Sequence, residues 1–499
     1  MNDGRHLEAS RALTRRAFVR SLAAGAATLV SSAALVESAG GIFGTRLQRG
    51  AVHQTIPLTD GWLFGGRLTD AALARVYDES RLERVRLPHC VTKLSWREWD
   101  PERWESEWVY RRHIGLTSGV AAQRIFLRFD GVMVGATPVV NDHRLPTHLG
   151  AYLPFEYEIT QAVMPGDNVL AIAVDSRWTN VPPEGSPRGP RSIDYLEPGG
   201  IPRPVTLRVV PHTFISDVFA RSTNVLDPSR RLEVTCSIDA AVPSSRPLRM
   251  EARLLDGSRV VARADDRVTV EHPGLITVDL TLSNIRDVKL WHIDSPQLYD
   301  IVVRLLAGET TLHEYRSRIG LRDARFETDG FFLNGRRLRI FGLNRHELYP
   351  YVGFAMPARA LRRDAELLRH TLNCNFVRCS HYPQSEAFLD ACDELGLMVW
   401  EELPGWQYLG DESWQDRAVA DVREMVIRDR NRPSIAIWGV RINESANNPP
   451  LYRRTKDVAK ALDPTRATSG TMTKRSTENW LQEVFAYDNY EPRPDGSVN

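Results

Sequence analysis

The chain has 499 residues, enough for about three domains, and 42% of them are hydrophobic, the composition of a soluble globular protein. Its 64 basic and 63 acidic residues leave a formal charge of +1, which gives no basic footprint for nucleic acid or an anionic membrane. Five scattered cysteines, Cys90, Cys236, Cys374, Cys379 and Cys392, do not make a disulfide framework, and Cys374 and Cys379, which lack CxxC spacing, read as core residues.

The N-terminus reads as an address. Thr14-Arg15-Arg16-Ala17-Phe18-Val19-Arg20 precedes an apolar, Ala-rich run from Ser21 to Val36, and small residues follow at Ser38-Ala39-Gly40. That is the charged, apolar and cleavage-site order of a secretory signal, and the paired arginines predict the twin-arginine route. The run is too short and too Ala-rich to span a bilayer comfortably. Residues 1–40 are therefore expected to be a signal peptide and 41–54 a linker. The mature protein is expected to be periplasmic or extracellular and not an integral membrane protein.

Residues 55–210 read as all-β. Ile125-Phe126-Leu127-Arg128-Phe129-Asp130 and Asn168-Val169-Leu170-Ala171-Ile172-Ala173-Val174 are strand-like runs bounded by turn residues. The pattern predicts a jelly-roll or β-sandwich. Residues 211–322 hold further alternating strands, such as Leu232-Glu233-Val234-Thr235-Cys236-Ser237-Ile238, and predict an immunoglobulin-like sandwich acting as a spacer.

Residues 323–499 change to strand–helix alternation, which implies a parallel sheet. Expected strands are Leu338–Phe341, Phe376–Cys379, Leu397–Glu401, Ile435–Val440, Thr468–Gly470 and Val484–Tyr487, with helices such as Ala358–His370 and Gln384–Leu395 between them. A full (β/α)8 TIM barrel takes eight strands in about 250 residues, or about 31 per unit. The segment fits an incomplete barrel of about six units.

Polar groups cluster after five of these strands. Asn443-Glu444 ends the tract that begins at Asn431. A carboxylic acid past a barrel strand's C-terminal end is placed for catalysis, although a surface Asn-Glu in an ordinary connection carries none. After strand one comes Asn344-Arg345-His346-Glu347; position 350 is Pro, so this is no HExxH zinc motif. Strand two ends in Val377-Arg378-Cys379-Ser380-His381-Tyr382-Pro383, and strand three in Trp400-Glu401-Glu402-Leu403-Pro404-Gly405-Trp406. Alternation puts Glu401 and Glu402 on opposite faces, so at most one points into the barrel mouth. Trp406 reads equally as a sugar platform or a core residue. Asp488, after strand six, reads as a pocket group or part of an ordinary loop.

These strings, in this order, resemble glycoside hydrolase family 2, which includes β-galactosidases, β-glucuronidases and β-mannosidases. Leu87-Pro88-His89, Trp108-Val109-Tyr110-Arg111-Arg112, His148 to Phe155 and Gly199-Gly200-Ile201-Pro202-Arg203 match segments typical of its sugar-binding-like domain. The resemblance implies retaining, double-displacement cleavage of a terminal β-glycosidic bond in a carbohydrate, β-galactosidase-like. Glu444 would be the proton donor. Asn443, His346, Arg378, His381, Glu402 and Trp406 would bind substrate, with Arg378 orienting a catalytic carboxylate and His381 facing the sugar. Spacing demands no metal cofactor; the resemblance leaves Mg²⁺ or Na⁺ near the acid/base open, and oligomerisation too.

A retaining site needs a second carboxylate about 5–5.5 Å from the first. In the resembled family this nucleophile follows strand seven, about 93 residues beyond Glu444 at the average unit length. That position lies past Asn499. The expectation is a C-terminally truncated hydrolase whose nucleophile is missing. Its rivals are a non-catalytic carbohydrate-binding remnant and a non-functional fragment of a broken gene.

Overall fold

A computed structural model describes residues 53–489 apart from 96–99, 118–122, 178–179, 183–194 and 474, together with 45–46. The expected signal peptide lies outside the described residues.

Alternation of apolar and polar residues builds two successive sandwiches. In the first, Trp62–Arg67, Glu107–Leu116, Gly166–Asp175 and Gly135–Val140 lie in one antiparallel sheet. Phe155–Glu158, Arg124–Phe129, Val205–Val210 and Gln54–Pro57 form the other. Between them Trp62, Tyr110, Leu127, Phe129, Leu170, Ile172 and Leu207 pack a common core. The second sandwich sets Thr213–Thr223, Arg231–Ala240 and Gly274–Leu282 against a four-stranded sheet that includes Leu248–Asp256 and Tyr299–Ala307. Along Arg231–Ala240 every second residue (Leu232, Val234, Cys236, Ile238, Ala240) is buried, the period of two that a half-covered strand requires.

A small antiparallel sheet follows, Ala324–Glu327, Gly330–Leu333 and Arg336–Leu338. This corrects the sequence reading at two points. Phe326 belongs to this sheet and not to the strand–helix alternation. Leu338 ends its last strand, so the first parallel strand is not Leu338–Phe341. The cause is the Asn334-Gly335 turn, with φ of 52° and 75°. Two left-handed residues in succession are the hairpin geometry that Asn-Gly favours, and they fold Arg336–Leu338 back onto Gly330–Leu333. The apolar run Leu338–Phe341 was misleading because Phe341 is 58% exposed.

The parallel sheet runs β1 (Gly342–Arg345), β2 (Phe376–Cys379), β3 (Met398–Glu402), β4 (Ile435–Gly439) and β5 (Ala467–Ser469), hydrogen-bonded in that order. After Gly470 the fifth strand resumes as Thr471–Met472, which pairs in parallel with β6 (Ala486–Tyr487). This is the β/α pattern of a TIM barrel, with six of its eight strand positions occupied among the described residues.

Helices α1 (Ala358–Glu366), α2 (Glu386–Leu395), α3 (Glu412–Asp429) and α4 (Pro449–Leu462) follow the first four strands. Their ends are set locally. Asp411 accepts from the Trp414 N–H at 3.0 Å to start α3, and Asn448 caps α4 ahead of Pro449, a residue suited to a first helical turn. Gly396, at φ 73°, closes α2 with a left-handed cap.

Strands β2 to β4 are covered on both faces. Outward, Val377, Val399 and Trp438 pack with Phe388, Leu389, Trp414, Val422 and Met425 of the helices. Inward, Phe376, Met398, Trp400 and Ile437 pack on Phe331 and Leu333 of the small sheet, which therefore closes the N-terminal end of the strands. All five cysteines are free thiols, with Cys374 and Cys379 buried. No helix of the described residues is long and apolar enough to cross a membrane.

Candidate active site

The C-terminal ends of β2, β3 and β4 bring four of the expected site residues into one hydrogen-bonded group. Arg378, the next-to-last residue of β2, grips Glu402 of β3 with two bonds, Nε to Oε2 at 3.0 Å and Nη2 to Oε1 at 3.1 Å. The same Nη2 donates to Asn443 Oδ1 at 2.5 Å. His381 Nδ1 meets Glu402 Oε1 at 2.6 Å. All four side chains are buried. Burial works against the charge on Glu402, but Arg378 and then His381 outweigh it and hold the carboxyl below its ordinary range. A bidentate, charge-assisted arrangement of this kind fixes geometry as well as charge. Gly439 of β4 sits opposite Glu402 in register, and a Cβ there would collide with Glu402 Cβ. The glycine is what lets β3 and β4 close together beneath the cluster.

Glu444 lies one residue past Asn443, half-buried. Its φ is +53°, a left-handed conformation that costs a non-glycine residue on the order of 1 kcal/mol and persists where its surroundings fix it. Its N–H is tied to the Thr471 carbonyl at 3.0 Å. Two donors, Trp406 Nε1 and Gln407 Nε2, each reach Glu444 Oε2 at 3.1 Å. Trp406 is half-buried and packs against the cluster that contains Tyr152, Tyr195 and Tyr382, so it joins the core and touches the candidate acid at once.

His346 stands beside the group. Its Nδ1 is 3.2 Å from the Tyr382 hydroxyl, and its ring lies edge-on to His381 with centroids 5.4 Å apart. Burial, with His381 adding to it, pushes its pKa down to about 4, so the ring is neutral at pH 7. The rest of its string turns elsewhere. Arg345 pairs with Asp364 at 2.7 Å, and the Glu347 carboxylate receives the Ser385 N–H at 2.8 Å ahead of α2.

The first sandwich completes the surroundings. Tyr152 stacks on Tyr382 with centroids 4.3 Å apart, Arg203 Nη2 donates to the Pro383 carbonyl at 2.6 Å, and Tyr195 lies 5.2 Å from the His346 ring. The sequence strings around 148–155 and 199–203 thus hold the His381-Tyr382-Pro383 segment in place. Sequence reasoning missed Tyr195 and Gln407. Neither carries a local signal: each gains its place from a loop conformation, Gln407 at φ 58°.

A hollow of about 630 Å³ is lined by Phe326, Phe331, Leu338 and Ile340. It lies at the opposite, N-terminal end of the strands and contains none of the residues above. Among the described residues no group of three or more His, Cys, Asp or Glu side chains is placed to hold a metal ion. Glu402 is committed to Arg378 and His381.

Comparison with known proteins shows the family of the chain. Three successive family models match: "Glycosyl hydrolase 2 galactose-binding domain-like" over residues 94–217, "Glycosyl hydrolases family 2" over 213–322 and "Glycosyl hydrolases family 2, TIM barrel domain" over 325–487. A β-galactosidase from Thermoanaerobacterium thermosulfurigenes is 34% identical over 442 residues, covering 88% of this chain and 61% of that protein. One from Thermoanaerobacter pseudethanolicus is 36% identical over 441 residues, covering 88% and 58%. The crystal structure of a Bacteroides uniformis β-glucuronidase superposes with a TM-score of 0.78 at 25% identity, over 89% of this chain and 56% of that one. The chain thus spans about three fifths of the length of these relatives. With all three family models in their order along one chain, this protein belongs to glycoside hydrolase family 2.

Proposed function

We propose that the chain carries the acid/base half of a retaining β-glycosidase site, with β-galactosides the first substrate class to test and β-glucuronides the second. The observation that carries this is Glu444: a carboxylic acid at the C-terminal end of a barrel strand, held by Trp406 and Gln407 beside the Arg378–Glu402–His381–Asn443 group. In such a site the acid protonates the leaving glycosidic oxygen and then takes a proton from water. Arg378 and Asn443 fix the floor on which the sugar would sit. Neutral His346 can both donate to and accept from a sugar hydroxyl.

The nucleophile is the other half of the reading. Glu402 is bound to Arg378 and His381, and Asp488 Oδ1 lies 3.9 Å from Arg378 Nη1. The proposal gives the nucleophile's role to neither and holds that residues 1–499 bind the glycoside without turning it over. The test has two arms. Calorimetry with galacto- and glucurono-configured iminosugars should show binding to the wild-type protein, about tenfold weaker for Glu444→Gln, which is about 1.4 kcal/mol. No binding to the wild type would overturn the site. Aryl β-glycosides should show no turnover above a Glu444→Ala blank; turnover would place the nucleophile within this chain.

Export by the twin-arginine route belongs to the same proposal, on the strength of Arg15-Arg16 and the run that follows. Replacing both arginines by lysine should leave the precursor in the cytoplasm, and normal export of that variant would refute the route.

A further inference from the structure

A neutral histidine has one donor nitrogen and one acceptor nitrogen, and the partner at one of them settles which is which. For His346 that partner is the Tyr382 hydroxyl, 3.2 Å from Nδ1. The hydroxyl is already engaged on its other side, where it accepts the Glu347 backbone N–H at 2.9 Å. Tyr382 is fully buried. With the proton on Nδ1, the hydroxyl would face two donors, and its own hydrogen would have no acceptor among the described residues. Buried polar groups are rarely left so. With the proton on Nε2 every hydrogen has a place: the Glu347 N–H goes to the tyrosine oxygen, and the tyrosine O–H goes to Nδ1.

We propose that Tyr382 is a positioning residue that fixes His346 as the Nε2–H tautomer, so that the ring edge away from Tyr382 offers a hydrogen-bond donor to a sugar hydroxyl oxygen. The inference rests on the reading of the barrel mouth as a glycoside site and narrows it: His346 donates to the sugar and does not accept from it.

The surroundings hold both rings. Tyr152 stacks on Tyr382 at 4.3 Å and 9°, and Phe354 meets it edge-on at 5.3 Å. The Glu347 backbone is steadied through its carboxylate, which receives the Ser385 N–H at 2.8 Å. The His346 ring lies between Tyr195, at 5.2 Å, and His381, at 5.4 Å. Its Nε2 has no hydrogen-bond partner among the described residues and is not shut off from solvent. Burial, with His381 adding to it, pushes the ring's pKa down to about 4, so one proton is shared out between two nitrogens at pH 7.

The test is spectroscopic and needs no turnover. In protein labelled with ¹⁵N at histidine, long-range ¹H–¹⁵N correlation at pH 7 separates protonated from unprotonated ring nitrogens. His346→Gln identifies the His346 signals by removing them. The wild type should show Nδ1 unprotonated and Nε2 protonated. Tyr382→Phe keeps the stacked ring and removes the hydroxyl, so the Nδ1 signal should shift as that of a nitrogen that has lost its hydrogen bond. A wild-type ring protonated at Nδ1, or a Nδ1 signal unmoved in Tyr382→Phe, would overturn the proposal, and the wild-type spectrum decides the tautomer even where a variant fails to fold. A galacto-configured iminosugar should then shift the Nε2–H signal of the wild type. Binding by calorimetry with no such shift would overturn the donor role. No binding at all would overturn the glycosidase reading, and the ligand-free spectra would still decide the tautomer, so the two failures are told apart.

Discussion

Glu401 and Glu402 are adjacent on β3, both buried, and the two faces of the sheet treat them in opposite ways. Inside the mouth, Glu402 has a bidentate arginine and a histidine and is held ionised. On the outer face, Glu401 shares one guanidinium: Arg428 Nη2 lies 2.9 Å from Glu401 Oε1 and 2.6 Å from Asp429 Oδ2. Asp429 has Arg432 as well, at 2.8 Å. Burial opposes its charge, but Arg428 and Arg432 outweigh that and hold it low. For Glu401 burial dominates, the neighbouring Asp429 adds to it, and the carboxyl is pushed well above its ordinary range. The number of cations per carboxylate decides the outcome. The outer pair is spanned by ion partners from α3 and the turn that follows it and is structural. The inner carboxylate lies within a group that borders half-buried Glu444 and Trp406.

The largest test of this contrast is Glu402→Gln. Arg378 would be left buried without its bidentate partner, and breaking such a pair costs about 3–5 kcal/mol. Urea unfolding at pH 7 should show that loss. The sign of the pH effect follows from the same observation. Glu402 is held below its ordinary value of 4.5, so in the acid range just below 4.5 the unfolded chain binds more protons than the folded one. Its contribution is full above pH 4.5 and fades as pH falls through the folded value. The acid limb of the wild-type stability curve should therefore be flatter in Glu402→Gln. An unchanged limb would mean that the Arg378–Glu402 pair adds nothing.

Sequence alone carried this contrast part of the way. Strand alternation required Glu401 and Glu402 to face apart, and the strings after β2 to β4 named the residues that gather at the mouth. Sandwich strands such as Arg231–Ala240 were legible because one face is buried and the other wet. The first barrel strand was not, because Leu338–Phe341 has the apolar content of a strand while an Asn-Gly turn outside the run decides the pairing. The tie of the Glu444 backbone to the Thr471 carbonyl was hidden for a related reason. It depends on a strand that breaks at Gly470 and resumes in a new pairing, and hydropathy does not record a change of partner. Gln407 was hidden because its reach to Glu444 depends on a positive φ in a loop.

A smaller effect is expected at Trp406. Trp406→Phe keeps an aromatic ring against the buried cluster that includes Tyr152, Tyr195 and Tyr382 and removes one of the two donors on Glu444 Oε2. A hydrogen bond to a charged group is worth about 1.5–3 kcal/mol, and one pKa unit corresponds to about 1.4 kcal/mol. The Glu444 carboxyl should accordingly titrate about 1 pH unit higher in the variant, followed by ¹³C-carboxyl NMR, with little change in unfolding midpoint. A fall in midpoint with no change in titration would make Trp406 a packing residue only.

The smallest effect on stability is expected where intuition about a buried ion pair would place a large one. Glu401 Oε2 finds no hydrogen-bond donor, and a proton carried on that oxygen toward Asp429 satisfies it. Glu401→Gln puts an N–H in the place of that O–H and leaves Arg428 with Asp429, so stability at pH 7 should change by no more than about 1 kcal/mol. The pH dependence should change more visibly. Because the folded carboxyl is raised above its ordinary 4.5, the folded state binds more protons across the interval upward from 4.5, and stability declines there as pH rises. Glu401→Gln removes that decline, whereas Glu402→Gln acts on the limb below 4.5. Unfolding curves taken from pH 3 to 9 on the two variants would separate the faces of β3. If Glu401→Gln cost as much as Glu402→Gln, Glu401 would be ionised like its neighbour, and the difference drawn between the two faces would fail.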